Sequence, residues 1–168
     1  MLGKIVKERP DGKGGRVPCK TWDNGTLLCE TVNPATGETF PWNFRTHRIA
    51  PGQKNNWYVE IYGTKASAKW SSTYADILEV LEYTGGEQIW QQIQMGQETA
   101  FKSITGGIFQ FGFSDAILQM WAAYVYELAH GKPLKRFAGC ATPAEAALSH
   151  RLFTAALESQ KNHSTVKV

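Results

Sequence analysis

The residues best suited to polar recognition lie in "FRTHR", Phe44 to Arg48. On an extended strand Arg45 and His47 share one face and Arg48 points to the other. A basic pair on one face can hold a carboxylate or a phosphate through charge-assisted hydrogen bonds. The competing reading is a solvated sheet edge whose charges deter edge-to-edge pairing. A second stretch, "GGIFQFGFSD", combines glycines that allow close backbone approach with Asp115 beside the start of a helix, where negative charge is favoured. Taken alone it reads as core packing for Phe111 and Phe113 and as helix capping for Asp115. His130 and His150 fall on or beside helical segments without a carboxylate at useful spacing.

Other chemistries are excluded by spacing. Cys19, Cys29 and Cys140 form no C-x-x-C pair, and no histidine stands at zinc-ligand distance in the sequence, so no metal site is expected. Cys29, inside "TLLCETV", reads as a small buried hydrophobe. A dinucleotide cradle needs G-x-G-x-x-G between a strand and a helix, so that backbone N–H groups meet the pyrophosphate. In "DGKGGRVP" Gly12 and Gly14 are correctly spaced, but Val17 stands where the third glycine belongs. In "TGGIFQFG" Gly106 and Gly107 are adjacent, which is the wrong spacing. The sequence therefore offers no cofactor-binding residue.

The elements that position these groups follow from the pattern. The 168 residues suffice for one domain with its own core. Hydrophobic residues make up 42% and charged residues 20%, with a net charge of +3 from scattered basic side chains. Nucleic-acid binding, which needs a clustered basic patch, is not expected. Neither is a membrane span, since no run of about eighteen apolar residues occurs. With no secretory signal in "MLGKIVKERPDGKGG", the expected compartment is the cytoplasm.

"GKIVKE" reads as a short opening strand, "RPDGKGGRVP" as a loop, and "TLLCETV", "TFPWNFRTHRI", "WYVEIYG", "SAKWSS" and "EQIWQQIQM" as strands. "DILEVLEY" fits a strand or a short helix. Two helices follow. In "SDAILQMWAAYVYELAHG" Ile117, Trp121, Tyr124, Val125 and Leu128 recur on one side, with Ser114 as the cap and Gly131 and Pro133 as the stop. "TPAEAALSHRLFTAALESQ" opens on a capping box between Thr142 and Glu145, with Pro143 at the first helical position. "STVKV" reads as a last strand. The fold class is α+β, a large and mainly antiparallel open sheet with helices packed on one face.

One hairpin carries aromatics on both faces. In "NWYVEIYG" Trp57, Val59 and Ile61 point one way and Tyr58, Glu60 and Tyr62 the other. In "EQIWQQIQM" Ile89, Ile93 and Met95 oppose Gln88, Trp90, Gln92 and Gln94. The aliphatic set belongs against the helices. The other set mixes rings with polar tips, the composition that partner interfaces favour. Tyr58, Glu60, Tyr62 and Trp90 are thus candidates for an oligomer interface.

"TWDNGTLLCE", "RIAPGQKNNWYVEIYGTKASAKWS", "FGFSDAILQMWAAYVYEL" and "ALESQKNHSTVKV" occur in this order. Together, over Lys4 to Val168, they resemble the C-terminal domain of the glucose–fructose oxidoreductase, inositol dehydrogenase and rhizopine-catabolism (Gfo/Idh/MocA) family. The resemblance implies a single domain over residues 1–168, of the type that shapes the substrate pocket and builds the oligomer in NAD(P)-dependent sugar and polyol oxidoreductases. It also implies that loops around Phe111, Phe113 and Asp115 face a substrate, which makes them pocket candidates beside Arg45 and His47.

The family's nucleotide, NAD or NADP, is held by a separate N-terminal Rossmann domain, and no cofactor is expected on this chain. The family's E-K-P lysine has no counterpart, because Lys132–Pro133 lacks the glutamate, and no Asp is followed four residues later by His. No catalytic residue is assigned. The expected role is therefore a substrate-binding and oligomerising domain, shortened or split and inactive unless a Rossmann-bearing chain complements it. The alternative is a cofactor-free module that binds a sugar or a protein.

Overall fold

The computed structural model describes residues 1–96, 98–135 and 138–168. Among these the strands are β1 (Leu2–Gly3), β2 (Glu8–Pro10), β3 (Arg16–Pro18), β4 (Asn24–Val32), β5 (Thr39–His47), β6 (Tyr58–Tyr62), β7 (Ala66–Ser71), β8 (Ile77–Glu82) and β9 (Gln91–Gln94). The long helices are α1 (Phe113–His130) and α2 (Pro143–Asn162). All strand pairs are antiparallel, and with two helices the class is α+β, as the sequence predicts. The strands are distributed over three sheets, ordered β1-β4-β5, β2-β3 and β6-β7-β8-β9. The chain divides into two compact units, residues 1–52 with 142–168, and residues 53–141.

In the first unit β4 and β5 pair along their whole length, from Asn24 opposite His47 to Val32 opposite Thr39. Leu27, Cys29 and Thr31 therefore share a face with Phe44, Trp42 and Phe40. The Phe44 ring meets Phe153 of α2 at 6.1 Å and Trp42 edge-on at 5.9 Å, so this face carries the helix. Asp23 ties the start of the chain to it. Buried to 3% exposure, its carboxylate accepts the N–H groups of Ile5 (2.6 Å) and Val6 (2.7 Å) and the guanidinium of Arg48. These contacts hold the Asp23 carboxyl at about 2, below its ordinary value: the Arg48 hydrogen bond is the largest cause, followed by the backbone donor of Val6. Its partner Arg48 is raised by the same pairing.

The expected strand over "GKIVKE" shrinks to Leu2–Gly3, because the amides of Ile5 and Val6 turn to Asp23 instead of a neighbouring strand. The expected loop "RPDGKGGRVP" is a β2–β3 hairpin whose turn is held by Asp11, which accepts from Lys13 N–H and Gly15 N–H. α2 begins as the sequence predicts: Glu145 N–H donates to Thr142 Oγ1 and Thr142 N–H to Glu145 Oε2 at 2.7 Å. The last expected strand, "STVKV", does not form. His163 takes a left-handed conformation, φ 52°, which stops α2. The final residues Val166 to Val168 line one shallow groove with His150, Thr154 and Glu158 of the same helix.

The second unit begins as an antiparallel meander. Gly63 is required at the β6–β7 turn, because a Cβ there would stand 2.8 Å from the Ala66 carbonyl oxygen. The ambiguous "DILEVLEY" is strand β8; pairing on both sides, with β7 and β9, satisfies its backbone and settles the choice. The registers put Tyr58, Glu60 and Tyr62 on one face with Lys69, Glu79 and Gln92, and Val59 and Ile61 on the other with Trp70, Leu78, Val80 and Ile93. The aliphatic face, expected against the helices, is covered only in part: Trp70, Leu78 and Val80 are half-buried, whereas Val59 is 54% and Ile61 61% exposed.

α1 differs in the same way. Its cap is Gly112 rather than Ser114, with Gly112 N–H donating to Asp115 Oδ2 at 2.9 Å. Gly131, φ 70°, closes the other end as expected. The stripe from Ile117 to Leu128 is exposed, and the small face bearing Ala123 is buried.

Candidate functional site

A cavity of about 580 Å³ opens within the unit formed by residues 53–141. That volume falls in the range of small-molecule sites. Four segments build it. The turn before β8 contributes Asp76; the loop after β9 contributes residues between Met95 and Phe111; α1 contributes Asp115, Gln119, Met120 and Ala123; and residues 138–141 close one side. The loop is braced by Gln119, whose Oε1 accepts Phe101 N–H and whose Nε2 donates to the Phe101 carbonyl, both at 2.8 Å. Thr99 Oγ1 donates to that same carbonyl at 2.6 Å. The Phe101 ring packs 5.8 Å from Tyr126, which stacks on His130 at 4.0 Å. The wall at 138–141 is tied to the helix by Cys140 N–H, which donates to Glu127 Oε1 at 2.8 Å.

The lining combines aromatic and oxygen chemistry. Phe101, Phe109 and Phe111 offer ring surface, Ser103 and Thr105 offer hydroxyls, and Asp76, Glu98 and Asp115 offer carboxylates. Asp76 is 9% exposed, and its carboxylate accepts from Gln94 Nε2. Glu98 is largely exposed, with Lys135 Nζ at 3.7 Å. A carboxylate has about four acceptor sites, so each retains capacity for hydroxyl hydrogens of a ligand. Such a site can bind and orient a polyhydroxylated molecule. Among the described residues no three metal-ligating side chains gather.

Of the residues singled out by sequence, Phe111 and Asp115 line this cavity. Phe113, 56% exposed at the first turn of α1, is absent from the lining. Arg45 and His47 lie exposed on β5, in the other unit, on the sheet face opposite the one that meets Phe153; they face the same side as Asn24 and Thr26. Sequence reasoning passed over Asp76, Gln119 and Ala123. The signal for the last two was the spacing of Asp115, Gln119 and Ala123 at i, i+4, i+8, which puts them on one helix face.

The candidate oligomer residues stand together on the meander. Tyr58 and Tyr62 are exposed, the Tyr62 hydroxyl donates to Glu60 Oε2 at 3.1 Å, and Lys69 Nζ lies 4.2 Å from the Trp90 ring centre and 5.8 Å from that of Tyr62.

Neither glycine-rich stretch has the geometry of a dinucleotide cradle. Gly12 and Gly14 sit in the β2–β3 hairpin rather than between a strand and a helix. At the start of α1 the Gly112 N–H is already taken by the Asp115 carboxylate, which would repel a phosphate.

Comparison with known proteins adds a fold. No protein-family model and no curated protein matches the sequence. Among solved structures the chain is similar to the crystal structure of an oxidoreductase domain protein from Kribbella flavida, with a TM-score of 0.70 and 19% identity over 97% of this chain. The chain spans 41% of the length of that protein.

Proposed function

We propose that this chain is the substrate-binding and oligomerising part of an NAD(P)-dependent sugar or polyol oxidoreductase of the Gfo/Idh/MocA type, with the nucleotide held by other polypeptide. The observation that carries the reading is the fold: nearly the whole chain is matched by less than half of an oxidoreductase domain protein. The cavity supports it. Its phenylalanines suit the apolar faces of a sugar ring, and its carboxylates and hydroxyls suit the ring's hydroxyl groups. In this role the chain's residues bind and orient the substrate and exclude water around it. Hydride acceptance and proton removal fall to groups on the nucleotide-bearing polypeptide.

The same reading makes the Tyr58, Glu60, Tyr62 and Trp90 face the surface on which copies associate. Exposed rings with polar tips next to a cation stacked on an aromatic suit an interface. Calorimetric titration of the purified chain with glucose, myo-inositol, NAD(H) and NADP(H) tests the function. Saturable polyol binding without nucleotide binding is expected. Nucleotide binding by the chain alone, or no polyol binding, refutes it.

A further inference from the structure

Among the described residues the apolar stripe of α1 lies largely exposed. Ile117, Trp121, Tyr124, Val125 and Leu128 are 40%, 56%, 46%, 62% and 68% exposed, although the helix turns Ala123 inward to 4%. A surface helix ordinarily does the reverse, packing its apolar side on its own core. The side that α1 does pack, with Asp115, Gln119 and Ala123, lines the cavity.

We propose that this stripe is a second self-association face, on which α1 of one copy packs antiparallel against α1 of another. Three observations select a second copy as the occupant. First, Ile117, Trp121, Tyr124 and Leu128 follow one another at intervals of four, three and four residues. That is the spacing of a helix-pair seam, in which side chains of one helix fill the gaps of its equal. Second, the stripe holds no ionisable group other than the Tyr124 phenol. The charged residues of the helix lie elsewhere: Asp115 caps Gly112, and Glu127 accepts the Cys140 N–H. A two-fold axis near Trp121 and Tyr124 thus opposes no like charges, sets Ile117 of each copy against Leu128 of the other, and aligns the helix dipoles favourably. Third, at the observed exposures the five side chains present on the order of 600 Å². That approaches the roughly 800 Å² per partner of a standard stable interface.

This face goes beyond the sheet-face association proposed above and is separable from it. Light scattering with size-exclusion chromatography on the full 168-residue chain, from about 5 to 100 µM, gives the test. Trp121→Glu and Val125→Arg, each checked for unchanged far-ultraviolet circular dichroism, are expected to halve the wild-type mass. Their dissociation constants should rise at least about a hundredfold. A Tyr58→Ser/Trp90→Ser double variant reports on the sheet face independently. If only the helix variants lower the mass, the α1 face stands and the sheet face falls. If only the double variant does, the α1 face falls, as it does if the stripe serves the nucleotide-bearing polypeptide. A wild-type monomer at 100 µM overturns both.

Discussion

Replacing Gln119 by leucine removes the brace between α1 and the loop that walls the cavity. The side chain makes two 2.8 Å hydrogen bonds to one residue, accepting Phe101 N–H and donating to its carbonyl. The two losses are unequal. The carbonyl keeps the Thr99 hydroxyl at 2.6 Å, whereas the N–H has no other acceptor among the described residues. Losing a neutral hydrogen bond costs about 1 kcal/mol, and leaving a part-buried donor unmet adds about as much again. The local opening free energy of the loop should fall by about 2 kcal/mol, which is roughly a thirtyfold change in the opening equilibrium. Native-state hydrogen exchange reads this directly: the Phe101 amide should lose protection by that factor. Amides of α2 in the other unit should exchange as before. Thr99→Val is the control, because it removes only the hydroxyl that shares the Phe101 carbonyl while Gln119 still serves both the N–H and the carbonyl. It should lose less than half of the protection free energy. A Phe101 amide that remains within threefold of wild type in Gln119→Leu refutes the bracing role.

Two further outcomes test the other unit. Asp23 is held at about 2, below the ordinary carboxylate value of 3.8, so its contribution to stability is complete above 3.8 and is lost as pH falls toward 2. Asp23→Asn should therefore melt lower than wild type at neutral pH and show a shallower loss of melting temperature between pH 4 and 2. Parallel acid limbs would count against it. Thr142→Ala removes the acceptor for Glu145 N–H and should cost about 1 kcal/mol, a fall of about 2–4 °C in melting temperature. Glu145 is lowered by the same contacts, first the Thr142 N–H, so that part of the cap fades as pH drops below its ordinary value of 4.5.

What was legible in the sequence is what acts over short distances along it. The Thr142–Glu145 cap spans three residues, and the β6–β7 hairpin needs only strict alternation around Gly63, so both stand as the sequence predicts. The opening strand failed because its amides go to Asp23, eighteen residues from Ile5, a long-range choice that no local pattern encodes. Ser114 lost the cap to Gly112 because Asp115 reaches back to the Gly112 N–H, which sets the first turn two residues earlier than the Ser-Asp pair suggests. Most of the cavity was hidden for a related reason. Asp76 comes to it from the turn before β8, while Gln119 comes from a helix whose apolar stripe drew attention to its other side.

The first unit is discontinuous, joining residues 1–52 to 142–168, while the second is one uninterrupted stretch. A ribosome therefore releases Phe44 and Trp42 long before the helix that covers their sheet face exists. At about 5–20 residues per second, the roughly hundred residues between Phe44 and Phe153 take about 5–20 s to translate. During that interval the 53–141 unit can complete itself, and the aromatic strands before it stay bare. Nascent chains should draw chaperones to β4 and β5 first, and slower translation just before α2 should lengthen that exposure.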